Sequence, residues 1–223
     1  MMTYSHPVSK HMSLDERKLQ DLILGREKES LFRAIFFDRD GTLNIEKGYV
    51  LRPEEIALYP NTSEVLRDFK IMGFLLIVIS NQSPIGRKIM SEEELEKINA
   101  TLWEKLSYVE AGYDGFYYCP HPPEQKPDCE CRKPRPGLML QASIDFNIDL
   151  CESYFIGDKL SDIEAGKRAG CKTILVLTGR GIETREIIQN DASRAQPDAI
   201  TSTLSDALSW IQNHENRAHL NNR

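Results

Sequence analysis

Five short apolar runs dictate the architecture: RAIFF at 33–37, FLLIVI at 74–79, GFYY at 115–118, SYFIG at 153–157 and KTILVL at 172–177. Each has the length of a strand, and their nearly continuous apolar character marks strands buried on both faces. Helical patterns fill the intervals. Val65, Leu66, Phe69 and Met72 recur at helical spacing over 62–72, and Ser91 with Glu94 spells a capping box for a long helix ending near Gly112. Residues 137–147 and 161–169 also read as helices. Strand and helix in alternation predict an α/β fold, a mostly parallel sheet with helices on both faces. Such sheets bind ligands beyond the carboxyl ends of their strands.

That rule directs attention to three polar clusters. Asp38-Arg39-Asp40-Gly41-Thr42 follows the first run, Ser80-Asn81-Gln82-Ser83 the second, and Gly157-Asp158-Lys159-Leu160-Ser161-Asp162 closes the fourth. All three should meet at one edge. Of the five histidines, His6, His11, His214 and His219 lie in the tails, and His121 has the character of a metal ligand, so serine–histidine chemistry has no base. Carboxylates must serve instead. A carboxylate is a competent nucleophile toward phosphorus when a divalent cation neutralises the phosphate oxygens, giving an acyl phosphate that water later cleaves. Asp38 is the expected nucleophile. Asp40, two residues on along the same side of an extended chain, is the expected acid and base. Mg²⁺ prefers hard oxygens and keeps several waters, so Asp38, Asp158 and the backbone carbonyl of Asp40 form a reasonable partial shell. Ser80 and Lys133 are placed to hold the phosphoryl group as its charge spreads.

The segment CPHPPEQKPDCECRKPRPG, residues 119–137, concentrates three of the five cysteines and one histidine. Cys119-x-His121 and Cys129-x-Cys131 are two i, i+2 pairs separated by seven residues, enough chain to return both pairs to one ion. Three thiolates and an imidazole suit the closed tetrahedral shell of structural Zn²⁺. Cys151 and Cys171 stand beside strands, where buried small residues are the default expectation. Because Arg132 and Lys133 follow Cys131 directly, the zinc loop is expected to present both cations at the mouth of the site.

FFDRDGT, VISNQS, CRKP and GDKLSD resemble, in order, the four motifs of the haloacid dehalogenase superfamily, and the DxD spacing is that of its phosphatases. DRDGTLN, GYV, SNQS, YYCPH, CxCRKPRPG and GDK resemble one branch more closely, the sugar-bisphosphate and histidinol-phosphate phosphatases, over roughly residues 33–210. The resemblance implies a Rossmann-like fold, Mg²⁺-dependent hydrolysis through an aspartyl phosphate, and a bound Zn²⁺. It assigns the nucleophile to Asp38, the acid/base to Asp40, the phosphoryl contacts to Ser80 and Lys133, and the remaining magnesium ligand to Asp158. Substrate contacts fall on the Glu46-Lys47-Gly48-Tyr49 stretch, Asn81, Gln82, Arg132 and Lys159. The branch points to a small phosphorylated metabolite, foremost the 7-phosphate of a heptose 1,7-bisphosphate, with histidinol phosphate as the alternative. One departure is Pro84 within SNQSPIGRK, where proline should bias Ser83 toward extended backbone.

Length and charge complete the expectations. At 223 residues the chain has room for one main domain. An extension over 1–30, disordered or carrying a short helix in SLDERKLQDLIL, should precede a phosphatase domain over 31–214 and a tail over 215–223. No insertion is large enough for a cap domain. The net charge of -6 disfavours nucleic acid and anionic membranes as partners. With no apolar span of about 20 residues and no basic-flanked leader, a cytoplasmic monomer is expected.

Overall fold

The computed structural model describes residues 10–11, 31–108, 110–124 and 129–221. Strands β1 (Lys10–His11), β2 (Arg33–Phe37), β3 (Phe74–Asn81), β4 (Gly115–Cys119), β5 (Tyr154–Gly157), β6 (Lys172–Val176) and β7 (Ala199–Thr201) form one sheet in the order β1-β4-β3-β2-β5-β6-β7. Every pairing is parallel. Side chains alternate between faces with the strand period of two. Ile35, Phe37, Leu76, Val78, Tyr154 and Ile156 join one core, whereas Ala34, Phe36, Ile77, Ile79 and Phe155 join the other.

Helices α1 (Thr62–Ile71), α3 (Glu92–Ser107) and α7 (Leu204–Asn221) supply the first core with Phe69, Leu102 and Ile211, among others. The second is covered by α4 (Gly137–Phe146) and α5 (Leu160–Ala169), through Leu138, Met139 and Ala165. The sandwich is the expected α/β arrangement, with no large cap domain among the described residues. The expected capping box opens α3: Glu94 N donates to Ser91 Oγ at 3.2 Å, and Ser91 N donates to Glu94 Oε2 at 2.7 Å. The helix stops at Ser107, short of Gly112, and Glu110 adopts a left-handed φ of 61° where the chain turns away.

Several boundaries differ from the sequence reading. Lys10 and His11, within the expected extension, pair with Tyr117 and Tyr118, and Lys10 Nζ lies 2.8 Å from Asp145 Oδ2. The helix expected in SLDERKLQDLIL lies outside the described residues. At the other end, α7 runs past residue 214 to Asn221, so the described part of the tail is helical. Glu215 explains the continuation: it accepts a hydrogen bond from Tyr154 Oη at 2.6 Å and pairs with Arg33. Ser83 is helical rather than extended, because α2 (Ser83–Gly86) places Pro84 in its first turn, where a missing N–H costs nothing. None of β7, α6 (Gly181–Asn190) and α7 was expected. Of the two cysteines expected to be buried beside strands, Cys171 is buried but Cys151, in the turn before β5, is exposed. No helix among the described residues is long and apolar enough to cross a membrane.

Candidate active site

The central strand β2 has β3 on one side and β5 on the other, so the chain reverses its direction of travel across the sheet here, where parallel sheets open a crevice. The three polar clusters meet there, lining a cleft of about 820 Å³. Asp38 directly follows β2, with its N–H donating to Ile156 O at 3.1 Å.

Two ammonium groups flank the Asp38 carboxylate. Lys133 Nζ lies 2.8 Å from Asp38 Oδ1 and 2.8 Å from Asp162 Oδ1, and donates to Ile79 O at 2.7 Å. Lys159 Nζ lies 3.2 Å from Asp38 Oδ2, 2.9 Å from Asp40 O, 3.6 Å from Asp158 Oδ1 and 3.7 Å from Glu46 Oε2. Burial opposes ionisation of Asp38, but Lys133 and Lys159 outweigh it and hold the carboxyl below the usual range. Burial and the Asp38 charge push Asp158 up to about 8. For Lys133, attraction to Asp162 and Asp38 outweighs the cost of burial and keeps it protonated.

Asp40 points its carboxylate elsewhere. Arg39 Nη2 donates to Asp40 Oδ2 at 2.7 Å and Arg39 Nε to Oδ1 at 3.1 Å, and Asn44 Nδ2 reaches Oδ1 at 3.2 Å. Gln82 Nε2 donates to Ser80 Oγ at 2.8 Å and sits 3.5 Å from Asp40 Oδ2, linking the first two clusters. Asn81 grips the Lys133 backbone in both directions, accepting from Lys133 N at 3.1 Å and donating to Lys133 O at 3.2 Å. Tyr49 Oη approaches Ser83 Oγ at 3.5 Å, while Gly48 and Arg132 line the cleft. Arg132 Nη1 donates to His121 O at 2.8 Å, tying its guanidinium to the cysteine-rich loop.

One expectation is corrected here. Arg132 does line the cleft, but Lys133 is not at its mouth: its side chain is 2% exposed, drawn to the floor by two carboxylates and a carbonyl.

The oxygen cluster fits a divalent cation. Asp38, Asp158 and Asp162 each offer an oxygen, all within 4.8 Å of one another. Asp158 Oδ1 is buried without a hydrogen-bond partner, while Asp158 Oδ2 accepts from Arg180 N at 2.8 Å. Asp162 is already committed to Lys133 and to the N-terminus of α5, accepting from Lys159 N at 3.0 Å. The groups of the expected Mg²⁺ shell, Asp38, Asp158 and the Asp40 carbonyl, are themselves gathered around Lys159 Nζ. Asp158 Oδ1 is the one oxygen among them without a hydrogen bond, a hard donor of the kind a hydrated Mg²⁺ takes.

The cysteine-rich loop also assembles as expected. Cys119 Sγ lies 3.6 Å from Cys129 Sγ and 3.2 Å from Cys131 Sγ, and His121 Nδ1 lies 3.6 Å from Cys119 Sγ and 3.2 Å from Cys131 Sγ. Ligands bonded to a tetrahedral Zn²⁺ at about 2.3 Å stand about 3.8 Å apart, so four groups this close suit that ion.

The sequence reading missed Asp162, Arg39 and Arg180 as site residues. Asp162 carried a signal, since it lies one helical turn beyond Asp158 in GDKLSD. Arg39 and Arg180 carried none beyond their charge.

Residues 130–207 match the HAD-hydrolase-like family profile. The chain is 45% identical over 157 residues, 67% of its length and 84% of the relative's, to the D-glycero-β-D-manno-heptose-1,7-bisphosphate 7-phosphatase of Pasteurella multocida (strain Pm70). It is 37% identical over 187 residues to the protein of that name from Haemophilus ducreyi, covering 80% of this chain and 98% of that one. The crystal structure of D,D-heptose 1,7-bisphosphate phosphatase from B. bronchiseptica, complexed with magnesium and phosphate, superposes with a TM-score of 0.73 at 26% identity, covering 82% of this chain and 99% of that one.

Proposed function

The chain belongs to the D-glycero-β-D-manno-heptose-1,7-bisphosphate 7-phosphatase family of HAD-like hydrolases, and on that premise we propose that it removes the 7-phosphate of this sugar bisphosphate through an aspartyl phosphate. The observation that carries the reading is Asp38 itself, a buried carboxylate kept ionised between Lys133 and Lys159 at the end of the central strand.

Asp38 attacks phosphorus, and the sugar O7 leaves with a proton from Asp40, so the P–O7 bond breaks as the P–Oδ bond forms. Water then attacks the aspartyl phosphate while Asp40 takes its proton, releasing inorganic phosphate and restoring Asp38. Ser80 and Lys133 hold the transferring oxygens. Mg²⁺, held by Asp38, Asp158 and the Asp40 carbonyl, supplies neutralisation of the phosphoryl charge when bound.

Recognition of the sugar falls to the other cleft residues. Glu46 Oε2 is buried with no hydrogen-bond donor, an acceptor suited to a sugar hydroxyl, and Gly48 and Tyr49 shape the adjoining wall. Arg132 meets the second phosphate, while Lys159, 3.2 Å from Asp38 Oδ2, meets the phosphoryl group under transfer, with Gln82 and Asn81 fixing Ser80 and Lys133 behind them. Cys119, His121, Cys129 and Cys131 would hold a structural Zn²⁺, fixing the loop to which Arg132 is tied through the His121 carbonyl. Thiolate ligands suit the reducing cytoplasm.

The test is a parallel kcat/KM comparison of both anomers of the heptose bisphosphate with histidinol phosphate. The sugar should be turned over at least about a hundredfold more efficiently, a margin that the loss of cleft contacts to hydroxyls and a second anion sets. Equal or faster turnover of histidinol phosphate would overturn the assignment.

A further inference from the structure

Arg39 is the largest fully buried side chain among the described residues, and it is charged. A guanidinium withdrawn from water costs several kcal/mol unless its donors are matched, so its surroundings should account for its presence. Its side chain is 1% exposed, and the carboxylate it pairs with is Asp40, at 16%. Neighbouring residues on an extended chain face opposite ways, but the backbone turns here, with Leu43 N and Asn44 N both donating to Arg39 O at 3.0 Å. The turn brings the two side chains alongside each other.

The contacts leave Asp40 little freedom. Arg39 Nε lies 3.1 Å from both Oδ1 and Oδ2, and Nη2 lies 2.7 Å from Oδ2. Rotation of the carboxylate about its own axis would break these bonds and the 3.2 Å bond from Asn44 Nδ2. Arg39 is itself held from behind: Nη1 donates to Oδ1 of Asn99, a fully buried residue of α3, at 3.2 Å. The Asn99 carbonyl in turn accepts from Tyr113 Oη at 2.9 Å. A chain of bonds thus runs from the α3 core to the carboxylate at the cleft.

We propose that Arg39 is a positioning residue that, braced by Asn99, locks the Asp40 carboxylate in the orientation from which it exchanges protons with the leaving oxygen and the attacking water. The proposal rests on Asp40 being the acid and base of the reaction, and the test separates failure of that assignment from failure of the proposal. Arg39 does not touch substrate, and its contribution passes through Asp40. A planar fork is needed for this work, because an ammonium cannot bridge both carboxylate oxygens and reach Asn99 together.

The experiment compares kcat/KM for the heptose bisphosphate, whose alkoxide leaving group needs a proton, with p-nitrophenyl phosphate, whose phenolate does not. Variants Arg39→Met, Arg39→Lys, Asn99→Leu and Asp40→Asn are assayed together. Arg39→Met should lower kcat/KM about a hundredfold on the sugar, the cost of misplacing a catalytic group by about an ångström, with KM unchanged and the aryl ester within about threefold. Arg39→Lys should fold better than Arg39→Met yet show the same selective loss. Asn99→Leu, which leaves the ion pair intact, should show a smaller loss of the same kind and keeps the proposal testable if Arg39→Met does not fold. Equal losses on both esters, or full activity in Arg39→Lys, overturn the positioning role. If Asp40→Asn also depresses both esters equally, the acid/base assignment fails, and the proposal fails with it for that separate reason.

Discussion

Lys133 Nζ lies 2.8 Å from Asp38 Oδ1, joining residues 95 positions apart in a pair whose side chains are 2% and 6% exposed. A lone lysine in that position would lose its charge, but Asp162 on its other side makes the arrangement a carboxylate–ammonium–carboxylate bridge under the cleft.

Replacing Lys133 with Met should therefore damage stability as well as activity. Two buried carboxylates lose their shared cation, a loss of about 3–5 kcal/mol by the usual cost of breaking a buried pair. Chemical denaturation should read that deficit. The double variant Lys133→Met/Asp162→Leu should recover part of it while remaining inactive. Additive losses would mean that the bridge is not the unit.

Gly41 and Gly73 offer a matched pair of substitutions. Both have positive φ, at 96° and 86°, so alanine strains either by about 1–2 kcal/mol. A Cβ at Gly41 would also lie 2.1 Å from Asp158 Oδ2, whereas one at Gly73 meets nothing within 4 Å. Gly41→Ala should cut kcat/KM by on the order of a hundredfold through displacement of Asp158. Gly73→Ala should lower the melting temperature and leave kinetics unchanged.

Cys129→Ser tests the zinc loop. Zinc content measured by atomic emission should fall, the melting temperature with it, and KM for the bisphosphate should rise because Arg132 loses its fixed anchor on His121 O. Unchanged metal content would reject this set of ligands.

The Glu215 carboxylate predicts a pH dependence far from the cleft. Burial opposes its charge, but Tyr154 and Arg33 outweigh that and hold its pKa below the ordinary 4.5. A carboxyl depressed in the folded state stabilises fully above its unfolded pKa, and that stabilisation fades as pH falls through the folded value. The melting-temperature deficit of Glu215→Gln should be largest near neutrality and vanish in strong acid. A deficit independent of pH would assign the effect to packing alone.

The five core strands were legible because their short apolar runs are nearly unbroken and flanked by turns, and the site was legible because parallel sheets gather strand ends. The rest depended on information that no local pattern carries. β7 is only the three residues AIT, and α6 leaves Ile182 and Ile187 half exposed, so neither shows a clear period. The end of α7 is polar and is held by distant partners of Glu215. Lys133 read as an exposed cation because spacing reports neighbours along the chain, whereas its burial comes from residues 38, 79 and 162. Arg39 was passed over for the same reason, since its brace lies 60 residues away.

The position of β2 has a consequence for biosynthesis. It carries Asp38 and leaves the ribosome before the core strands that enclose it on either side, β3 and β5. The cations that hold Asp38 ionised arrive with residues 133 and 159. On the proposed mechanism a nascent chain carries Asp38 early but cannot use it until β5 has docked, so turnover itself would report that the fold is nearly complete.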